Sequence, residues 1–151
     1  MNRRLFALVA IAAVALVVPT GAVSAADSGR PFATTLTGAA EVPGPGDSDA
    51  SGSASITLNQ GQGTVCFDVS WAEVDGTVFA SHIHVGAADV AGPVVVTLFT
   101  GSFGGTDALS GCSEDVDRDL IKAIRQTPSG YYVNVHSDVF PGGAVRGQLA
   151  K

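Results

Sequence analysis

The strongest constraint on this chain is a period of two. From Thr64 to Trp71, the residues Val65, Phe67, Val69 and Trp71 alternate with Cys66, Asp68 and Ser70. Successive side chains of an extended strand point to opposite faces, so this segment has one apolar face and one wet one. Pro31 to Thr37 repeats the pattern with Phe32, Thr34 and Leu36, and Ser51 to Leu58 repeats it with Ala54, Ile56 and Leu58. Asn59 to Gly63 carries two glycines, and its five residues predict a hairpin between the second and third strands. Phe79 to Gly86, Tyr131 to His136 and Ala144 to Leu149 are further strands, the last two joined by a seven-residue loop from Ser137 to Gly143. Val94 to Phe99 is apolar on both faces, which predicts a central strand. Thr100 to Leu109, with three glycines, reads as a flexible connection.

One helix is expected over Ser113 to Gln126. Ser113 is placed to cap it, Glu114, Asp115 and Asp117 crowd its start, and Lys122 and Arg125 sit near its end. Val116, Leu120, Ala123 and Ile124 form its apolar face, and Pro128 and Gly130 stop it. Seven strands and one short helix make an all-β protein, an antiparallel Greek-key β-sandwich or flattened barrel. The 19 glycines and the 15% charged content agree with many turns and few helical surfaces.

The first 26 residues read as a signal peptide. Asn2-Arg3-Arg4 is a short basic region, Leu5 to Val18 is an apolar run of 14 residues, and Val23-Ser24-Ala25-Ala26 offers small residues for cleavage. An uncleaved anchor is the alternative, although the run is short for a spanning helix. Residues 27–151 then form a single domain, and no second stretch is long enough to cross a bilayer. Cleavage removes Arg3 and Arg4, leaving 6 of the 8 basic residues against 14 acidic ones, a net charge of −8. Such a domain repels nucleic acid and anionic membrane surfaces. Its expected partner is a protein or another component of the cell envelope. Cys66 and Cys112 are an even pair in an exported chain and read as one disulfide, against the alternative of two buried thiols.

The residues able to carry chemistry are few. All three histidines lie in strand-like sequence: His82 and His84 on one face of their strand, and His136 at the end of another. Two imidazoles at i and i+2, with a third from a nearby strand, match the three-histidine sets of copper and zinc centres. The same rings could instead form a buried hydrogen-bonded layer or touch a partner. Arg146 could guide an anion toward the histidines, or pair with Glu41 or Asp138. Asp115, Asp117 and Asp119 imitate the start of a calcium loop, but Leu120 and Gln126 stand where that loop needs Gly and Glu. Asp47 and Asp49 read as a solvated turn. Nucleophile and phosphate-cradling motifs are missing, so no complete catalytic set is found.

Three segments carry a resemblance. Leu36-Thr37-Gly38-Ala39-Ala40-Glu41-Val42-Pro43 resembles the opening of the chordin-type (CHRD) domain. His82-Ile83-His84-Val85-Gly86 and Gly92-Pro93-Val94-Val95-Val96 resemble its centre. Tyr131 to Ser137 and Phe140 to Leu149 resemble its closing motif. Gly44 and Ala91 depart from the usual pattern, both in turns. The resemblance implies a single exported all-β domain of the bacterial type. In chordin itself, copies of this domain accompany modules that bind bone morphogenetic proteins. No activity travels with the domain, so the expectation is a secreted, non-catalytic binding or structural module without a cofactor.

A more distant likeness is to copper/zinc superoxide dismutase. His82, His84 and His136 would match three copper ligands, and Arg146 the anion-guiding arginine. A fourth, bridging histidine and the His-rich zinc loop are missing from this sequence. The alternative expectation is therefore a copper- or zinc-binding protein with a three-histidine site.

Overall fold

The computed structural model describes residues 31–150. The predicted signal peptide at 1–26 lies outside the described residues. Eight strands run in the order β1 (Phe32–Thr37), β2 (Ser51–Asn59), β3 (Thr64–Ala72), β4 (Val78–Val85), β5 (Val94–Thr100), β6 (Ala108–Ser113), then, after helix α1 (Arg118–Gln126), β7 (Tyr131–Ser137) and β8 (Val145–Gln148). They form one antiparallel sheet in the order β5-β4-β7-β8-β1-β2-β3-β6. The sheet curls until its end strands approach each other, and the Ser113 hydroxyl of β6 donates to the Thr97 carbonyl of β5 (2.7 Å). The result is a nearly closed, flattened barrel.

The alternation of the sequence decides what goes inside. Ala54, Ile56 and Leu58 of β2 and Val65, Phe67, Val69 and Trp71 of β3 are all buried. Across the barrel they meet Ile83, Val96, Leu98, Val133, Val135 and Val145. Phe99 reaches over from β5 to contact the rings of Phe67 and Trp71, at centroid distances of 5.9 and 5.7 Å. Ile121 and Ile124 of α1, both fully buried, plug the same core.

Three expectations are corrected. The strand count is eight rather than seven, because Ala108–Ser113 is a strand where a flexible connection ran into a helix start. Its sequence, Ala-Leu-Ser-Gly-Cys-Ser, has little apolar alternation, since only Leu109 packs against the core. It is held by pairing with β3 and by the Cys66–Cys112 disulfide between directly opposed residues.

The helix is also shorter than the 113–126 expected, starting at Arg118. Ser113 is committed to β6 and to Thr97, and Asp115 takes a left-handed conformation (φ 56°) that interrupts a helix. Asp117 caps it instead, its Oδ1 accepting from the N–H groups of Asp119 (2.7 Å) and Leu120 (3.1 Å). Finally, β5 is an end strand and β7 a central one. Val94 and Thr97 are exposed on β5, whereas β7 is buried on both faces from Tyr132 to Ser137. Among the described residues, no helix is long and apolar enough to cross a membrane.

Candidate functional site

Register explains which side chains meet. On the outer face of the wall, β4, β7 and β8 place His82 opposite Asn134 and Asn134 opposite Arg146. His84 stands opposite Tyr132 and Tyr132 opposite Gln148, while His136 stands opposite Ala80. Residues directly opposed on an antiparallel pair share a face. The strand residues between them, Ile83, Val133, Val135 and Val145, point into the core and are fully buried. The same alternation that builds the core therefore gathers three imidazoles, a phenol, two amides and a guanidinium outside it.

This polar face is not open to solvent, because loops roof it. From the loop after β4, the Gly86 carbonyl accepts from Gln148 Nε2 (2.6 Å) and the Ala87 carbonyl from Arg146 Nη2 (2.7 Å). The Gly92 carbonyl of that loop lies 2.8 Å from His84 Nδ1, and the Gly92 N–H donates to the Tyr132 hydroxyl (3.1 Å). The loop between β7 and β8 brings the Pro141 carbonyl to 3.1 Å from His136 Nδ1. Under this roof His84 and His136 are only 8% and 7% exposed and Arg146 is 1% exposed, whereas His82 is half-buried.

The three imidazoles, whose convergence the sequence left open, lie together. Each offers a nitrogen within 4.8 Å of the other two, and His82 Nδ1 lies 3.1 Å from His136 Nε2. A carbonyl oxygen can only accept, so His84 and His136 each carry their proton on Nδ1 and keep a lone pair on Nε2. His82 Nδ1–H then donates to His136 Nε2. Asn134 Oδ1 also lies 3.0 Å from that nitrogen, and half a turn of the amide presents an N–H donor there. His84 Nε2 is buried and has no hydrogen-bond partner. Burial pushes the His82 imidazole down to about 4, with help from the neighbouring His136 and His84 rings. Burial also lowers His136, against the contact with Pro141. Both shifts favour the neutral imidazoles; the His136 Nε2 lone pair is engaged by His82 Nδ1–H, and His82 keeps a lone pair on Nε2.

Arg146 and Glu41 occupy the other end of this face. The Arg146 guanidinium lies 3.3 Å over the Tyr132 ring, which is itself stacked on His84 at 4.8 Å and 11°. Because β7 runs between β4 and β8, Tyr132 stands between His84 and Arg146. Glu41, from the segment between β1 and β2, is 6% exposed. Its carboxyl packs on Gly143, which has positive φ (137°) and no Cβ to block it. Burial pushes the Glu41 carboxyl up to about 7, against the opposing pull of the Arg146 charge and the Val42 N–H. Glu41 Oε1 and Arg146 Nη1 both lack a hydrogen-bond partner. Asp138, the other acidic candidate for Arg146, instead accepts from the Thr77 N–H (2.7 Å).

Asp47 is not the solvated turn residue its neighbours suggested. It is 2% exposed, and its carboxylate accepts from the Asp75 N–H (2.7 Å), tying the segment before β2 to the β3–β4 link. Tyr132 and Asn134 went unnoticed as site residues in the sequence. Their signal was available, because they share the parity of His136 on β7. The roof carbonyls of Gly92 and Pro141 had none, since a backbone acceptor leaves no mark in side-chain pattern.

The structure thus defines a disulfide-linked antiparallel barrel with a roofed polar face on its outer wall. The family profile of the CHRD domain matches residues 32–149, nearly the whole described chain, so the chain belongs to the CHRD domain family. Comparison with curated proteins and with solved structures returns no match.

Proposed function

We propose that this chain is a secreted CHRD module that works outside the cytoplasm, binding or bracing other extracellular or cell-envelope components without running a reaction of its own. The observation that carries the reading is the Cys66–Cys112 disulfide, closed between directly opposed residues of β3 and β6. Disulfides persist in oxidising compartments and are rare where thiols are kept reduced. The signal-like first 26 residues and the acidic composition point the same way. The family match supports a domain of this kind over residues 32–149.

The experiment is fractionation combined with thiol labelling. The full chain is expressed, and the cytoplasmic and exported fractions are treated with a thiol-reactive probe before and after reduction. The expected result is a chain shortened at its N-terminus, found in the exported fraction, with both cysteines labelled only after reduction. A full-length chain in the cytoplasm with both thiols free would overturn the reading.

A further inference from the structure

Two strands, β4 and β7, bring three imidazoles together on the roofed face, and the chemistry of their six ring nitrogens is uneven. A purely structural layer would satisfy each nitrogen, because a buried polar atom left without a partner is costly. Here the outer nitrogens of two rings are anchored: His84 Nδ1–H to the Gly92 carbonyl and His136 Nδ1–H to the Pro141 carbonyl. Of their Nε2 atoms, that of His136 is engaged only by the neighbouring His82 ring and Asn134, and that of His84 is buried with no partner at all, in a cluster where each ring offers a nitrogen within 4.8 Å of the other two. Fixing one ring nitrogen on a backbone carbonyl is how proteins set the tautomer and direction of a histidine that ligates a metal.

The geometry points to a metal site: His82 Nδ1, His84 Nε2 and His136 Nε2 bind one copper or zinc ion. Metal–imidazole bonds of about 2.0–2.1 Å put two tetrahedrally placed nitrogens about 3.3 Å apart. The 3.1 Å between His82 Nδ1 and His136 Nε2 is already close to that spacing. The cluster spans at most 4.8 Å, so small ring rotations close the set. Binding moves the His82 proton from Nδ1 to Nε2 of the same ring, a change of tautomer with no change of charge.

The donor set also chooses the ion. Three neutral imidazoles suit copper and zinc, whereas calcium and magnesium require oxygen donors. Three protein ligands leave a coordination position for solvent or an incoming donor, reached past His82, the one ring of the three that is not fully buried. Arg146 is not placed to steer an anion to that position: it is 1% exposed, held under the Ala87 carbonyl, with Tyr132 between it and His84. The site is therefore a binding centre, separate from any dismutase assignment and independent of where the chain is secreted.

The test is metal content of the full exported chain after loading with Cu(II) or Zn(II) and dialysis, measured by elemental mass spectrometry beside His82→Ala and His84→Ala. His82→Ala removes a half-exposed ring and is expected to keep the fold, which a thermal melt of each metal-free variant checks. The expected result is about one ion per wild-type chain, a higher melting temperature on loading, and affinity lowered roughly 100-fold or more in either variant. The Cu(II) form is also expected to show nitrogen hyperfine splitting in its paramagnetic resonance spectrum, lost or simplified in His82→Ala. Wild-type chain that retains no ion, or folded variants that retain it undiminished, would overturn the proposal. The relative uptake of the two ions decides between copper and zinc, with copper expected to bind more tightly.

Discussion

On β2, β3 and β6 the outward side chains include Ser53, Asp68 and Ser110, all exposed, and Ser70, half-buried. On β4, β7 and β8 they are His84, His136, Tyr132, Asn134 and Arg146, all buried, with His82 and Gln148 partly so. Both halves of the wall share one apolar interior and one alternation. They differ in how the outside is held. The first half is stapled by Cys66–Cys112 and carries only a light polar contact, Ser53 to Ser70 at 2.9 Å. The second has no covalent link and is locked by roof loops whose carbonyls meet its polar side chains. A strand pattern can thus settle what faces inward while leaving two quite different outsides available, one solvated and one built into a site.

Substitutions that break the roofed half should cost most. Arg146→Ala removes a guanidinium stacked on Tyr132 and leaves the Glu41 carboxyl buried without its nearest positive charge. Loss of one member of such a buried set is expected to cost about 3–5 kcal/mol in urea unfolding. Arg146→Lys should recover little of it, because an ammonium cannot reproduce the planar stack. On the stapled half, replacing both Cys66 and Cys112 by alanine should cost about 2–4 kcal/mol. Hydrogen exchange should rise most in β3 and β6, and equal acceleration in β4 and β7 would show that the two halves do not differ in this way.

A subtler effect follows from Glu41. Its carboxyl sits near 4.5 when free and is raised to about 7 in the fold. Between those values Glu41 keeps in the fold a proton that it has released in the unfolded chain, so its own contribution to stability falls as pH rises from about 4.5 to about 7, whereas His82 and His136, both lowered from 6.5 in the fold, contribute in the opposite sense as pH rises toward 6.5. The total is about 3 kcal/mol for a shift of this size, at about 1.4 kcal/mol per pH unit. Glu41→Gln should make stability rise more steeply with pH across that window, because the opposing histidine contribution is left alone, and an unchanged slope would mean that Glu41 does not titrate there. The smallest effect belongs to Ser53→Ala, on the solvated outside, which should stay within about 0.5 kcal/mol of the parent.

How much of this was legible depends on whether a feature lives in side-chain pattern. Val65, Phe67, Val69 and Trp71 declared both strand and buried face, and all four are inside. His82, His84 and His136 were recognisable as strand histidines, yet their convergence required the β4–β7 register, which no local pattern encodes. The strand β6 escaped because Ala108-Leu109-Ser110-Gly111-Cys112-Ser113 offers only one core-packed side chain and is held by its neighbour and by a disulfide. The helix start was misplaced because Ser113 and Asp117 are both plausible caps, and the backbone turn at Asp115 decides between them. The burial of Asp47, Glu41 and Arg146 came from loops folding over the wall, where composition suggested a solvated turn and a surface ion pair.

The most direct measurement is a crystal structure of the metal-loaded chain with anomalous scattering collected at the copper and zinc edges. The expected result is one peak about 2.1 Å from His82 Nδ1, His84 Nε2 and His136 Nε2, with the Gly92 and Pro141 carbonyls still holding the outer nitrogens of His84 and His136. A peak elsewhere on the surface, or none at the cluster, would contradict the reading of the roofed face as a metal site.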